Sequence, residues 1–175
     1  ARGSAGANPG THRTPSRRMG AVAGRGERVE RLRAAVPGVF VGLKDSSGDF
    51  ANTRTFIEAF AGFAVYSGSE ELLLDNLQAG GAGCISATTN VTAPLAQAVL
   101  KAWRDGDAAG AGAAQEKAAS ARRALARFPA IAALKAVIAE RSGDEAWLGL
   151  LPPTMPLLPE QRAALVAALD DREGL

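Results

Sequence analysis

Three times between Val39 and Arg104, a short apolar run ends in a turn and gives way to a helical pattern. The runs are Val39–Leu43, Phe63–Tyr66 and Ala82–Ala87. The helical patterns cover about 50–61, 70–79 and 94–104. Strands that each feed a helix cannot pair as hairpins. They must lie parallel, with the helices as crossovers. This alternation predicts an α/β fold with a parallel sheet. The Val39–Leu43 run is bounded by turn residues and reads as a strand buried on both faces.

The flanks differ from this middle. Val29, Leu32, Ala35 and Val36 recur at helical spacing until Pro37-Gly38 stops them. After Gly106 the strands cease. Asp107–Arg127 is Ala-rich and helical, and Pro129–Arg141 places Ile131, Leu134, Val137 and Ile138 on an apolar side. The Pro-rich stretch 150–159 reads as an extended connector, and a last helix over about 160–171 carries Leu165, Val166 and Leu169. Residues 1–27 are rich in Gly, Pro, Ser, Thr and Arg, without periodicity, and predict a disordered tail. The expected organisation is therefore a tail at 1–27, strand–helix units at 28–106 and terminal helices at 107–175.

Charge is uneven. Residues 1–33 carry eight arginines and two glutamates, and the remainder carries twelve basic and sixteen acidic residues. An arginine-rich arm raises the question of phosphate contacts. These arginines are scattered, with no aromatic interleaving, so a solvated tail is expected and nucleic acid is not an expected partner. His12 lies in that tail and is given no role. Cys84 is the only cysteine, which excludes an internal disulfide and predicts a reducing compartment, the cytoplasm. It reads as a small buried residue. No run approaches the length of a membrane span, and no apolar block follows the first arginines as in a secretory signal.

Chemistry in parallel α/β folds gathers at the carboxyl ends of the strands. Three segments belong there: Lys44-Asp45-Ser46-Ser47, Ser67-Gly68-Ser69-Glu70, and Ser86 to Asn90. A lysine at a strand end is either solvated or chemically active. If Lys44 faces an apolar interior, with Gly42 leaving space beside it, burial disfavours its ammonium form. A neutral amine attacks carbonyls to form Schiff bases. Asp45 alternates to the other face and reads as a local cap or pairing residue.

Three ordered motifs carry a family resemblance. "VGLKDSSGD", "VYSGSEELLLDNLQAGGAGCISATTNVTAP" and "ALKAVIAERSG" with its following Pro-Pro resemble the second half of the dihydrodipicolinate synthase / N-acetylneuraminate lyase family. These are the pyruvate-type class I aldolases. The resemblance covers roughly 28–158. It implies a partial (β/α)8 TIM barrel of about three C-terminal units, six to eight, followed by a C-terminal helical bundle. It implies a lyase acting on a 2-oxo acid such as pyruvate or a 2-keto-3-deoxy sugar acid, with no cofactor and no metal.

Carried over, Lys44 is the Schiff-base lysine. Ser46 is a hydrogen-bonding group near the substrate, and Gly68, Ser69 and Glu70 meet its distal chain. Ile85 presents backbone to the 2-oxo acid, with Ser86 and Ala87 beside it. Blander roles stand alongside: a turn hydroxyl for Ser46, a helix start for Glu70, core for Ile85. The resemblance also implies a strand-five tyrosine, whereas the one tyrosine here is Tyr66. Units one to five have no counterpart in these residues. Hence the tail is expected to be foreign to the fold, from a truncated or frame-shifted gene. An uncovered inner face is expected to drive self-association. A catalytically inactive fragment, with at most a structural or interaction role, is the alternative to an active lyase.

Overall fold

A computed structural model describes residues 25–170. The tail expected at 1–27 falls almost wholly outside them. The described chain opens with helix α1 (Arg25–Ala35). Strand β1 (Gly42–Asp45) is followed by α2 (Phe50–Ala59), then β2 (Ala64–Ser67) by α3 (Leu73–Gln78), and β3 (Gly83–Cys84) by α4 (Thr89–Arg104). Three further helices complete it: α5 (Ala108–Leu125), α6 (Ala130–Ser142) and α7 (Pro159–Asp170). The sheet order is β1-β2-β3 and both pairings are parallel. The α/β class and the parallel crossovers are as the alternation requires.

Several boundaries move, each for a physical reason. The first strand starts at Gly42, because the chain leaves α1 through a turn in which Val39 and Phe40 N–H groups bond back to the Val36 carbonyl. Pairing with β2 begins only where Val41 accepts from Ala64 N–H, at 2.9 Å. Val39 and Val41 are therefore 77% and 61% exposed, so the expected strand buried on both faces is not found. The third strand shrinks to two residues. Buried Asn76 donates to the carbonyls of Val65 (3.0 Å) and Gly83 (2.7 Å), tying the strand starts together through a side chain.

Helix α4 starts at Thr89 and runs through Pro94, where a turn was expected. Pro94 and Asn90 lie on its exposed side, so the carbonyl left without a proline donor faces water, and the usual cost of an interior proline falls. Ile131 is 58% exposed rather than core. The 70–79 helix opens with a 3-10 turn, Glu70–Leu72, and another such turn at Glu145–Leu148 follows α6.

The core forms three clusters. Val29, Phe56, Phe63 and Val65 pack α1 and α2 onto one face of the sheet. Leu73, Leu74, Leu95, Ala96, Val99, Ala111, Ala118 and Ala121 join α3, α4 and α5. The small alanines let α5 approach α4 closely, and Asp107 caps α5 by accepting from Gly110 N–H at 2.8 Å. The third cluster, around Leu125, Leu134, Val137 and Leu165, holds α6 and α7. Fully burying a Val or Leu is worth about 1.5–3 kcal/mol, which makes Val65, Leu73 and Leu165 principal anchors. Arg162 on α7 bonds both Glu140 (3.0 Å) and Glu145 (2.9 Å). Among the described residues, no helix is long and apolar enough to cross a membrane.

Candidate active site

The register decides which residues share a face. Gly42 pairs with Ala64, Leu43 with Val65, Lys44 with Tyr66 and Asp45 with Ser67. Side chains alternate along a strand, so Gly42, Lys44, Ala64 and Tyr66 share one face and Leu43, Asp45, Val65 and Ser67 the other. The helices cover the second face: Val65 and Ser67 are fully buried. The first face is open, and Lys44 is exposed on it. The apolar walls expected around the amine are absent on that side. Tyr66 is half-buried beside Lys44, and its ring lies 3.8 Å from where a Cβ on Gly83 would stand.

Two glycines let the strand ends come together. A Cβ on Gly42 would sit 2.4 Å from the Ala64 carbonyl oxygen. A Cβ on Gly68 would sit 2.8 Å from the Asp45 oxygen and 3.0 Å from the Ser46 Cα. Asp45 turns inward and accepts from Ser47 N–H (3.0 Å), Ser47 Oγ (2.8 Å), Asn52 Nδ2 (2.9 Å) and Thr53 Oγ1 (2.7 Å). Burial pushes its carboxyl up, but these four donors outweigh it and hold it below the ordinary value. Asp45 therefore fixes the turn after Lys44 to the start of α2.

Glu70 is fully buried beneath the rim. Its Oε1 accepts from Thr88 Oγ1, and from Thr92 Oγ1 at 2.7 Å. Burial again raises the carboxyl, and hydrogen bonds from Ser86, Thr88 and Thr92 bring it net below its ordinary value. Oε2 has no hydrogen-bond partner, and Arg122 Nε stands 3.9 Å from it. Gln115 on α5 donates to the carbonyls of Glu70 (2.8 Å) and Glu71 (3.2 Å) and accepts from Leu74 N–H (3.0 Å). Burial and the Glu70 charge push the Cys84 thiol up to about 11, leaving it protonated and unreactive at neutral pH.

Above Glu70 lies a cleft of about 180 Å³ lined by Lys44, Gly68, Ser86, Ala87, Thr88 and Arg122. Leu125 of α5, Ala126 just after it, and Ala130 and Leu134 of α6 form its apolar wall. The carboxyl ends of all three strands thus meet the α5–α6 elbow. Of the sequence-derived candidates, Lys44, Gly68 and Ser86 come together here. Glu70 lies below, touching the cleft through Thr88. Ser46 is exposed and Ser69 caps the 3-10 turn by accepting from Glu71 N–H (3.3 Å); neither lines the cleft. Ile85 is 48% exposed and also outside it, with its N–H donated to Ser67 O at 2.9 Å.

Thr88, Thr92 and Arg122 were not anticipated. The four-residue spacing of Thr88 and Thr92 puts both on one helical side, and Arg122 follows the buried alanines 118, 119 and 121. Only the threonine spacing is a sequence signal; the inward side of Arg122, which precedes exposed Arg123, is set by how α5 packs.

Two larger clefts lack this character. One of about 610 Å³ between α6, the Pro-rich connector and α7 is bordered by Lys135 and Arg162. Lys135 donates to the Gly149 carbonyl and Arg162 is paired with two glutamates, so neither cation is available. The other, about 630 Å³, lies at the amino ends of β1 and β2, where Arg33 stacks over Phe60 and Phe63 at 5.5 and 5.4 Å.

The Dihydrodipicolinate synthetase family profile matches residues 19–172. An uncharacterized DapA-like lyase of Chloroflexus aurantiacus is 33% identical over 142 residues, covering 81% of this chain and 46% of its own length. A 4-hydroxy-tetrahydrodipicolinate synthase of Bacillus subtilis is 30% identical over 146 residues, 83% of this chain and 49% of its own. The crystal structure of YagE is also similar; YagE is an E. coli K12 prophage protein of the dihydrodipicolinic acid synthase family, solved in complex with pyruvate. It gives a TM-score of 0.77 at 26% identity, covering 86% of this chain and 51% of that one. The chain spans about half the length of the relatives it matches.

Proposed function

This chain belongs to the dihydrodipicolinate synthetase family, and we propose that it carries the Schiff-base half of a class I aldolase-type lyase acting on a 2-oxo acid. Within that reading, the three strand–helix units are units six to eight of a partial TIM barrel, and the helices after residue 106 form the terminal bundle. The observation that carries it is the cleft joining Lys44 to Gly68, Ser86 and Thr88 at the strands' carboxyl ends.

The chemistry follows from the amine. Neutral Lys44 Nζ adds to the C2 carbonyl, and water leaves with the carbonyl oxygen, giving an imine. Once protonated, the imine draws the electron pair of a C3–H or C3–C4 bond into an enamine. In cleavage the C4 hydroxyl gives its proton to water as the C3–C4 bond breaks, and the second product leaves as an aldehyde. The enamine then takes a proton at C3 from solvent, and water hydrolyses the imine to release the 2-oxo acid and free Lys44. Ser86 and Thr88 supply hydroxyls within the cleft. Glu70 acts through Thr88 by fixing its rotamer. Ser46, Ser69 and Ile85 are proposed for the outer, distal part of a longer substrate, such as a 2-keto-3-deoxy sugar acid.

A second reading has its own observation. Lys44 is exposed and its face of the sheet is uncovered, which favours a catalytically silent half barrel. Reductive trapping separates the two. The protein is incubated with pyruvate and borohydride and its intact mass is measured. The lyase reading expects a stable adduct that disappears in Lys44→Ala. No adduct on the unaltered chain leaves the silent reading.

A further inference from the structure

The outer edge of β1 carries unspent backbone groups beside the lysine. Ala64 N–H donates to the Val41 carbonyl at 2.9 Å, and Gly42 stands opposite Ala64. In a parallel ladder the bonds are evenly spaced, and alternate residues serve opposite sides of the strand. Leu43 and Asp45 therefore turn their N–H and C=O groups toward β2, while Gly42 and Lys44 turn theirs outward. Among the described residues, no strand lies beyond β1 and nothing else bonds the Gly42 or Lys44 backbone. Leu32 and Val36 at the end of α1, then Val39 and Val41, leave exposed apolar side chains along the chain's approach to this edge.

We propose that the β1 edge and the open sheet face dock a polypeptide carrying the barrel's preceding β/α units, which closes the open side of the Lys44 site. This rests on the partial-barrel reading given above. The partner adds a parallel strand to β1, spending the Gly42 and Lys44 backbone groups, and lays its own apolar side chains over Val39 and Val41.

Two observations choose this occupant. The first is length. The B. subtilis relative matches 83% of this chain with only 49% of its own length, so about as much of that fold again has no counterpart here. The second is area. The strands have four, four and two residues. At a spacing of about 4.8 Å and a rise of about 3.3 Å they present a face of about 200 Å². A stable interface takes about 800 Å² per partner. A second copy laid flat on the face falls far short of that. The occupant must also use the β1 edge and the apolar side chains beside it, as a strand with further units behind it does. In its absence, copies of the chain share that same edge, so the partner should displace self-association.

Amide hydrogen exchange, read residue by residue by NMR, tests this with and without a first-half fragment of the B. subtilis relative. The fragment used is one first shown to reassemble with that relative's own second half. In the dilute chain alone, the Gly42 and Lys44 amides are expected to exchange fast and those of Leu43 and Asp45 slowly. With the fragment, Gly42 and Lys44 are expected to slow by about tenfold or more, in a one-to-one complex by native mass spectrometry. Val41→Asp, at an exposed position, is expected to weaken docking about tenfold or more through the lost apolar contact, while Leu43 and Asp45 stay slow. Borohydride trapping of pyruvate on Lys44 is expected to be faster in the complex than in the chain alone.

No complex with that fragment overturns the docking surface. So does a complex that leaves the Gly42 and Lys44 amides fast. If both amides are already slow in the dilute chain, its own residues fill the edge and the proposal fails. It fails equally if they slow only as the chain is concentrated and the fragment changes nothing, since a second copy is then the occupant. Docking that protects both amides, with no trapping on Lys44, keeps the surface and removes the lyase reading. Trapping without docking does the reverse.

Discussion

Glu70 shows how a single residue sets the site's pH behaviour. Its carboxylate is buried, takes hydroxyl hydrogen bonds on one oxygen and is held net below its ordinary value of 4.5. Above 4.5 it is ionised in both folded and unfolded chains, so the folded-state bonds contribute fully. As pH falls below 4.5, the unfolded chain takes up its proton first and stability drains away until the lowered folded value is passed. Asp45 acts alike from 3.8 downward. Urea midpoints measured from pH 7 to pH 3 should therefore decline steadily at the acid end. Glu70→Gln should lower the midpoint at pH 7, by about 1–3 kcal/mol for the disturbed buried bonds, and remove part of the acid slope. A variant keeping the full slope would show that Glu70 is not its source.

At the scale of elements, the meeting of β1 with β2 depends on absent side chains. Gly68→Ala would press a Cβ to within 2.8 Å of the Asp45 oxygen and 3.0 Å of the Ser46 Cα. These are backbone atoms that cannot swing aside, so the strand ends must part. Overpacking of this kind costs about 1–3 kcal/mol, and borohydride trapping through Lys44 should weaken with it. Gly112, inside α5 with nothing within 4 Å of a new Cβ, is the counterpart. Gly112→Ala should raise the urea midpoint, by about 0.4–1 kcal/mol. An unshifted Gly68→Ala midpoint would mean that the close approach is not a constraint.

The elements themselves were largely readable, because apolar runs, Pro-Gly stops and caps act locally; Asp49 caps α2 by accepting from Ala51 N–H at 3.0 Å, as Asp107 caps α5. Their edges were not. Val39 and Val41 look like strand core, and only the pairing partner shows that the ladder starts later. Likewise Pro94 reads as the first residue of a helix until the exposed side of α4, which starts at Thr89, is known. That Lys44, Gly68 and Ser86 would meet at one rim was legible, because each lies at or just after the end of a parallel strand. The Glu70–Thr88–Thr92–Arg122 group was not, because it joins residues up to 52 positions apart whose meeting is set by how α5 crosses the rim.

For the whole molecule, the decisive feature is the face of the sheet that no helix covers among the described residues. Lys44 and Ile85 are exposed there, and Val39 and Val41 add apolar surface at the edge of β1. An edge strand beside an apolar face favours association with other chains. Charge offers a competing cause, since residues 1–33 are strongly basic and the remainder is net acidic. The two respond oppositely to salt. Exposed charges more than about 10 Å apart are largely screened at 0.1 M and more so above it, whereas apolar contacts persist. Sedimentation across a range of protein concentrations should show self-association that survives 0.5 M salt, roughly five times that screening concentration. An apolar-surface dye should bind and be displaced as the chains associate. Association lost on adding salt would transfer the cause to the charged segments. A salt-independent monomer that binds no dye would mean that the open face is not sticky, and that the site can stand alone.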